Sequence, residues 1–320
     1  MSGFMFRPAV RENVGLLIGL ASGTGGGKTF SAMELASGIA GDKPFAVIDT
    51  EAGRALHYAD RFRFDHGELR PPFRPGAYAE AIAAADAANY PVIVVDSASH
   101  EHAGEGGLLD YHDEILDRMA GDDWKKREAC NMRAWVEPKT EHKRFVQRLL
   151  QLRAHLILCF RAEEKIEIGK DGAGKTVIRP KQTATGLDGW VPVCEKNLPF
   201  ELTCSFLLRA ERPGFGIPIK LQEQHRALFP SDRPIDRKAG EAIARWASGG
   251  ARPEPRAAMV ESVLAGIANA ETADELKAVR SEAERLPIDD KPRARAAFKA
   301  RQEELTRRDK QPSREPGAEG

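Results

Sequence analysis

Five short apolar runs recur along the chain, and each has the length of a buried β-strand. They are Leu16–Ala21, Phe45–Asp49, Val92–Asp96, His155–Phe160 and Leu202–Leu208. Their hydrophobic residues are continuous rather than alternating, which is typical of strands covered on both faces of a parallel sheet. The segments between the first four runs, such as Tyr78–Asn89 and Lys139–Leu152, are long enough to hold helices. The pattern therefore predicts an α/β fold of three layers with a mostly parallel sheet.

A change in composition divides the chain into parts. We predict one α/β domain at 1–248, followed by a Gly- and Pro-rich linker at 249–255. A small helical module is expected at 256–307. Residues 308–320 are charged and rich in Pro and Gly, which favours a disordered tail.

Three amphipathic helices are predicted within the helical module. The first is Arg256–Ala270, and Thr272 and Glu275 then have the spacing of a capping box that begins the second. Asp290, followed by Lys-Pro, begins a third helix that extends to about Leu305. Such a set forms a small bundle or a docking module.

Charge and composition exclude few classes of protein. The 48 basic and 48 acidic residues cancel, so net charge does not indicate a nucleic-acid-binding protein, although a local basic groove would suffice. No apolar run approaches the roughly 20 residues of a membrane span, and the N-terminus lacks the core of a signal peptide. The four cysteines lack the paired spacing of a metal site. We expect a cytoplasmic protein without membrane contact.

The first apolar run passes directly into a glycine-rich loop. The loop is Ser22-Gly23-Thr24-Gly25-Gly26-Gly27-Lys28-Thr29, and a helix-forming segment follows it. Glycines allow consecutive N–H groups to turn toward phosphates, and the helix N-terminus adds partial positive charge. This order predicts ATP binding, with Lys28 at the β- and γ-phosphates and the Thr29 hydroxyl on Mg²⁺. Ser22 stands where the usual pattern has glycine.

A second segment, Gly169–Thr176, fits the bare phosphate-loop pattern better than the first. Its context differs, because a charged alternating strand precedes it and Val177-Ile178-Arg179-Pro180 follows. These β-branched residues and the proline cannot open a helix. We interpret this segment as the turn of a β-hairpin rather than as a phosphate loop.

Acidic residues end two of the apolar runs. Asp96 ends one of them and, given the phosphate loop upstream, is expected near the magnesium ion. Asp49 and Glu51 follow another run, where a carboxylate could orient or deprotonate the attacking water. Spacing alone does not choose between Asp49 and Glu51.

These acidic segments resemble those of the RecA-like recombinase ATPases. In that family the corresponding strand ends Ile-Asp-Ala-Glu and its glutamate activates water, a role that the resemblance gives to Glu51. A tyrosine seven residues further on stacks on adenine in the family, and Tyr58 has that spacing. Asp96-Ser97 resembles the family's second nucleotide motif.

The chain also resembles phage and prophage RecA-like P-loop ATPases, often called phage nucleotide-binding proteins, over roughly Gly3–Gly249. The shared features are Asp49–Arg54, Asp96-Ser97, the tryptophans Trp124 and Trp135, and the strand that ends in Arg161. This resemblance implies a RecA-like fold, ATP and Mg²⁺ as ligands, and ATP hydrolysis in recombination or single-strand annealing. It also implies single-stranded DNA, further copies of the chain and a phage recombination or replication protein as partners, in a bacterial host cell.

The strand His155–Arg161 differs from the family pattern at its end. RecA-like proteins have a glutamine there that senses γ-phosphate, whereas this chain has Arg161. An arginine could contact γ-phosphate more strongly than an amide, and the alternative is an ion pair with Glu163 or Glu164. In the family the following loop contacts DNA, and the predicted hairpin carries five basic residues: Lys165, Lys170, Lys175, Arg179 and Lys181. A solvated hairpin would have the same composition.

Other candidates have weaker support. Lys220 and Arg226 could complete a neighbouring subunit's site in the manner of an arginine finger. Trp124-Lys125-Lys126-Arg127 and Arg133-Ala134-Trp135 combine aromatic and basic residues, which suits single-stranded DNA, although tryptophans more often pack in cores. His100, His102 and His112 have no convincing metal-ligand spacing.

Two other functions compete with the recombination hypothesis. In the first, ATP switches an adaptor whose C-terminal helices dock a replication or recombination partner without direct DNA binding. In the second, the chain is a motor such as a helicase or a packaging ATPase.

Overall fold

The computed structural model describes two compact units. Residues 14–249, except 171, 173–174, 182, 184–186 and 188, form the larger unit, and residues 256–309 form the smaller one. The linker predicted at 249–255 and the tail predicted at 308–320 lie outside the described residues, apart from Gly249, Arg308 and Asp309.

The larger unit is built on one eight-stranded sheet. Its strands are β1 (Leu17–Ser22), β2 (Phe45–Asp49), β3 (Phe64–Glu68), β4 (Val92–Asp96), β5 (His155–Glu164), β8 (Trp190–Pro192), β9 (Cys204–Leu208) and β10 (Gly216–Lys220). The order is β10-β9-β1-β5-β4-β2-β3, and β8 pairs with the end of β5. Within that order all pairs are parallel except β10 with β9; β8 is antiparallel to β5. The α/β fold predicted from the apolar runs is confirmed.

Helices cover both faces of this sheet. They are α1 (Lys28–Ala40), α2 (Pro75–Ala87), α3 (Ser99–Ala103), α4 (Leu108–Ala120), α5 (Trp124–Ala134), α6 (Val136–Leu149), α7 (Leu198–Glu201), α8 (Glu223–Arg226) and α9 (Arg237–Ala247). One apolar core includes residues of α1 and α9, and the other includes residues of α2 and α6. Strands β1, β2, β4 and β9 are buried throughout, which is why their sequences are continuously apolar.

The two edge strands were not predicted from the sequence. Strand β3 is Phe-Asp-His-Gly-Glu and β10 contains Pro218. An edge strand has one neighbour and tolerates polar side chains and proline, so neither segment has the apolar signature of a central strand.

The second phosphate-loop match is a hairpin, as predicted. Strands β6 (Ile166–Lys170) and β7 (Thr176–Pro180) form a separate antiparallel pair. Lys175 and Thr176 therefore lead into a strand and not into a helix N-terminus, the element that binds phosphate.

The smaller unit consists of three helices with their own core. They are α10 (Arg256–Asn269), α11 (Ala273–Ala283) and α12 (Lys291–Asp309), packed through buried residues such as Ile267, Leu276 and Leu305. The hydroxyl of Thr272 accepts a hydrogen bond from the Glu275 N–H at 3.2 Å, so the predicted cap is confirmed. Among the described helices of both units, none has the length and hydrophobicity needed to cross a membrane.

Candidate functional site

The candidate residues meet where the parallel strands end. Strands β1, β2, β4 and β5 bring their carboxyl ends to one edge of the sheet, where open α/β sheets bind ligands. A cavity of about 960 Å³ lies at this edge. Its lining includes residues 22–25 and 27–29 of the glycine-rich loop together with Glu51, Tyr58 and Arg161. Residues more than 100 positions apart in sequence thus face one space.

Glycine is required at two positions of the loop by backbone conformation. Gly25 has φ +82° and Gly27 has φ +83°, in the left-handed region that other residues rarely adopt. Gly27 also caps the N-terminus of α1. The loop therefore leads straight into the partial positive charge of a helix N-terminus, as an anion site needs.

Ser22 and Gly26 fit together within this loop. Ser22 is the last residue of β1, in an extended position that any residue can adopt, and its hydroxyl donates a hydrogen bond to the Gly23 carbonyl at 2.6 Å. A Cβ atom at Gly26 would collide with Ser22 Oγ and would lie 2.5 Å from the Leu208 carbonyl oxygen. A serine is thus tolerated at the first position, whereas Gly26 has no room for a side chain.

We expect Gly26→Ala to abolish nucleotide binding without unfolding the larger unit, because the loop must move away from Ser22 and Leu208. Fluorescence titration with a labelled ATP analogue measures binding, and circular dichroism reports the fold. Ser22→Gly is the matched control and should keep affinity within about threefold, since it removes only one local hydrogen bond. An alanine variant with unchanged affinity would contradict this account of the loop.

Lys28, Thr29 and Asp96 form one polar cluster. Lys28 Nζ lies 3.3 Å from Asp96 Oδ1, and the Thr29 hydroxyl donates to Asp96 Oδ2 at 2.5 Å. Burial alone would lower the pKa of Lys28, but Asp96 and Glu51 raise it, so the lysine is charged. Burial raises the pKa of Asp96, against the effect of Lys28. The Asp96 Oδ1 atom is buried and has no hydrogen bond of good geometry. A carboxylate oxygen in this condition is suited to a cation.

The structure distinguishes the roles of Asp49 and Glu51, which the spacing of the two residues in the sequence could not do. The Asp49 carboxylate is buried and accepts hydrogen bonds from the N–H groups of Glu51 at 2.6 Å and Ala55 at 2.9 Å. His66 Nε2 lies 3.2 Å from it. Asp49 therefore stabilises the turn after β2, while Glu51 lines the cavity.

Glu51 is held between two arginines. Its carboxylate lies 3.1 Å from Arg54 and 3.1 Å from Arg161. Burial would raise the pKa of Glu51, but Lys28 and Arg161 lower it. The side chain is therefore an ionised acceptor beside the phosphate loop. The alternative prediction, an ion pair of Arg161 with Glu163 or Glu164, is wrong. Arg161 pairs with Glu51 instead.

Aromatic rings form one wall of the cavity. Tyr58 ends a short 3-10 helix, Arg54–Tyr58, and its ring centroid lies 6.2 Å from that of Phe30 and 6.2 Å from that of Phe62. Tyr58 and Phe30 both line the cavity. A half-buried aromatic surface of this kind can hold a planar base.

Threonine 50 links the two acidic loops. Its hydroxyl accepts a hydrogen bond from the Ser97 N–H at 2.9 Å and lies 2.8 Å from His100 Nδ1. The Thr50 N–H donates to the Asp96 carbonyl at 2.9 Å. These contacts fix the loop of Glu51 relative to that of Asp96. In the sequence, only the position of Thr50 and Ser97 next to the acids points to them.

Two further segments cover the glycine-rich loop and were missed by sequence reasoning. The Trp190 ring lies 3.0 Å from where a Gly23 Cβ would be, and the Gly214 N–H donates to the Gly26 carbonyl at 3.0 Å. Strand β8 has three residues and the loop after β9 has no repeating pattern, so neither has a sequence signature.

The structure places the remaining candidates away from the cavity. Lys220 pairs with Ser205, three residues before the end of β9, and its Nζ contacts the Phe200 carbonyl at 2.5 Å. Arg226 pairs with Glu223 at 3.0 Å. His112 stacks on Trp135 with centroids 4.2 Å apart, so Trp135 has a packing role. In the described part of the chain, no three His, Cys, Asp or Glu residues are grouped as metal ligands.

Comparison with known proteins identifies a family. A family model described as an AAA domain, AAA_24, matches residues 15–193. The match begins just before β1 and ends just after β8, so it contains the glycine-rich loop, Glu51, Asp96 and Arg161. No curated protein matches the chain.

Proposed function

The chain belongs to the AAA domain family, whose members are P-loop ATPases, and on this premise we propose that it hydrolyses ATP with Mg²⁺ to act on single-stranded DNA. The finer assignment is to a phage or prophage RecA-like ATPase of recombination or strand annealing. The observation that carries the proposal is that the glycine-rich loop and Glu51 line one cavity, and that Asp96 contacts Lys28 and Thr29 of this lining.

ATP and Mg²⁺ fit the residues of this cavity. The left-handed Gly25 and Gly27 let the loop turn its N–H groups toward phosphates, and Gly26 lets the loop pack against Ser22 and Leu208. The Asp96 Oδ1 atom without a hydrogen bond and the Thr29 hydroxyl are oxygen ligands suited to Mg²⁺. When bound, Mg²⁺ neutralises charge on the β- and γ-phosphates.

Each side chain then has a role in phosphoryl transfer to water. Lys28 binds the β- and γ-phosphates, and Tyr58 packs against the adenine. Glu51 accepts a proton from the water as its oxygen attacks the γ-phosphorus, and the bond from that phosphorus to the β–γ bridging oxygen breaks. Arg161 leaves Glu51 to contact the γ-phosphate, which frees the carboxylate for this step.

The hairpin after β5 supports the proposed DNA contact. Arg179 pairs with Glu167 on one face of β6 and β7, and Lys165 and Lys181 pair just beyond the two strands, two residues away on the same face by the alternation of the strands. Three cations on one face can follow a phosphate backbone. Self-association and a recombination or replication protein as partner belong to the same proposal.

We expect single-stranded DNA to increase the ATPase rate, with a strong dependence on salt. Three phosphate contacts give a slope of about −2 in log affinity against log salt, so affinity should fall about 20-fold between about 50 and 200 mM. Rates with and without an unlabelled oligonucleotide across this salt series test the proposal. The variant Arg179→Ala/Lys181→Ala should lose most of the stimulation, whereas Lys43→Ala, at the other end of the sheet, should keep it. An unchanged rate together with salt-independent binding would exclude the recombination function and leave the ATP-switched adaptor.

A further inference from the structure

The smaller unit has a cavity of its own, between α11 and α12. Its volume is about 380 Å³, near the lower end of the range of about 300–1,000 Å³ for binding pockets. Ala283, Ala294 and Phe298 supply its apolar surface. Because alanine side chains are small, the two helices leave space here, and the half-buried Phe298 ring lies beside it. The cavity therefore has an apolar floor on which a bulky side chain could pack.

Charged side chains also line this cavity. The described residues of the lining include four cations and one acid: Arg280, Lys291, Arg295, Lys299 and Glu284. Lys291, Arg295 and Lys299 are spaced four residues apart, so they form a row along α12. Arg280 and Glu284 belong to the end of α11, and their side chains lie 3.8 Å apart. We call the cavity with these charged residues and its apolar floor the basic groove.

The cations that α12 contributes to the basic groove are not neutralised within the smaller unit. Among the described residues, Lys291, Arg295 and Lys299 have no ion pair and no side-chain hydrogen bond. Four other cations of the unit each lie within 3.7 Å of a carboxylate: Lys277, Arg293, Arg301 and Arg307. Positive charge therefore remains uncompensated in the groove, and an acidic ligand is complementary to it.

The apolar floor favours a protein ligand over nucleic acid. Nucleic-acid backbones bind mainly to cations, and unpaired bases stack on open aromatic faces. The Phe298 ring is instead half-buried and packs against the core of the unit, so the groove offers an apolar depression rather than a stacking platform. An amphipathic peptide meets both requirements, because a bulky apolar residue fills the depression while neighbouring acids face the cations.

We propose that the basic groove binds an acidic segment of a partner protein, with a bulky apolar residue between its acids. The proposal gives a surface and a chemistry to the protein partner of the proposed function. It rests on that part of the proposed function and not on the binding of ATP or DNA, because all described residues that line the groove belong to the smaller unit.

Fluorescence anisotropy of the full chain with a labelled peptide tests this proposal. The probe is Ser-Asp-Glu-Asp-Leu-Trp-Asp-Glu-Asp-Ser, whose apolar pair lies between acids. We expect saturable binding that weakens as salt increases, because most cations of the groove are exposed. A peptide with Asn and Gln in place of Asp and Glu should bind at least about tenfold more weakly, and so should one with Ser-Ser in place of Leu-Trp.

Charge variants of α12 distinguish the groove from the net charge of the chain. Arg295→Glu/Lys299→Glu should weaken binding of the probe at least about tenfold, because two attractive contacts become repulsive. Arg307→Glu/Arg308→Glu makes the same change in net charge on the same helix, outside the groove. This control should change affinity less than about twofold at about 150 mM salt. Glu284→Gln should strengthen binding, since it removes the acid that lines the groove.

Three results would overturn the proposal in recognisable ways, once circular dichroism and binding of the ATP analogue show that each variant is folded. A wild-type chain that binds none of the peptides overturns it and leaves the ATPase proposal standing. Equal losses in the two double variants of α12 would show attraction to net charge alone. Displacement of the probe by an unlabelled oligonucleotide, in a chain that also carries Arg179→Ala/Lys181→Ala, would assign the groove to nucleic acid.

Two further results would assign the groove to this chain itself instead of to a partner. Probe binding that requires deletion of 310–320 would assign it to the chain's own tail, which contains Glu315 and Glu319. Dissociation of a dimer by the probe, measured by sedimentation equilibrium, would assign it to a second copy. We expect neither result, because the probe should bind the full chain directly and without a change in its oligomeric state.

Discussion

Replacing Lys28 with alanine is expected to weaken Mg·ATP binding by about 10- to 100-fold, the value of a charge-assisted hydrogen bond to phosphate. The reason is the position of the ammonium group. It stands at the start of α1, 3.3 Å from Asp96, with a raised pKa that keeps it charged in the neutral range. Titration with a fluorescent ATP analogue measures the loss.

The second lysine of the same sequence pattern provides the control. Lys175 precedes a strand of the β6–β7 hairpin rather than a helix, so Lys175→Ala should bind ATP like the wild type. Thermal unfolding of both variants separates lost binding from lost structure. The site assignment fails if Lys175→Ala abolishes binding and Lys28→Ala does not.

Replacing Glu51 with glutamine is expected to lower the hydrolysis rate by about 10²- to 10⁴-fold, the usual contribution of a general base, while ATP binding is retained. The amide keeps the shape of the carboxylate but cannot accept the proton of the attacking water. Lys28 and Arg161 keep the pKa of Glu51 below its ordinary value, so the wild-type carboxylate is ionised from mildly acidic pH upward. Phosphate release under single-turnover conditions measures the step.

Another carboxylate at the cavity serves as the matched control for Glu51. Glu163 lines the cavity near Arg161, yet Arg161 pairs with Glu51 instead. Glu163→Gln should therefore hydrolyse ATP at a rate close to that of the wild type. A Glu51→Gln chain with full turnover would show that another group prepares the water. Asp49→Asn would not be informative in the same way, because Asp49 stabilises the turn after β2 and its replacement affects folding.

Much of the larger unit could be predicted because its central strands are buried on both faces. Burial of that kind requires continuous apolar residues, and the bounds of β2 and β4 in the structure are those of the apolar runs. The glycine-rich loop could also be predicted from the sequence, because backbone φ values near +80° favour glycine strongly over other residues. Edge strands β3 and β10 have no such constraint, and the sequence did not reveal them.

The sequence by itself determined the elements and the residue types of the candidate site. These are the strand, loop and helix around Lys28, the acids at the ends of two strands, and the hairpin at Gly169–Thr176. That segment fits the bare phosphate-loop pattern better than Ser22–Thr29, but its neighbouring residues favour strands. These elements follow from local requirements of burial and backbone conformation that are written in neighbouring residues.

Only the tertiary structure decided which groups meet. Asp49 binds the turn after β2, whereas Glu51 lines the cavity and pairs with Arg161. Ser22 packs against Gly26, which has no space for a Cβ atom. The tertiary structure also divided the hairpin into a basic face and an apolar face. Such outcomes depend on contacts between residues far apart in the chain, and the spacing of residues along one segment does not contain them.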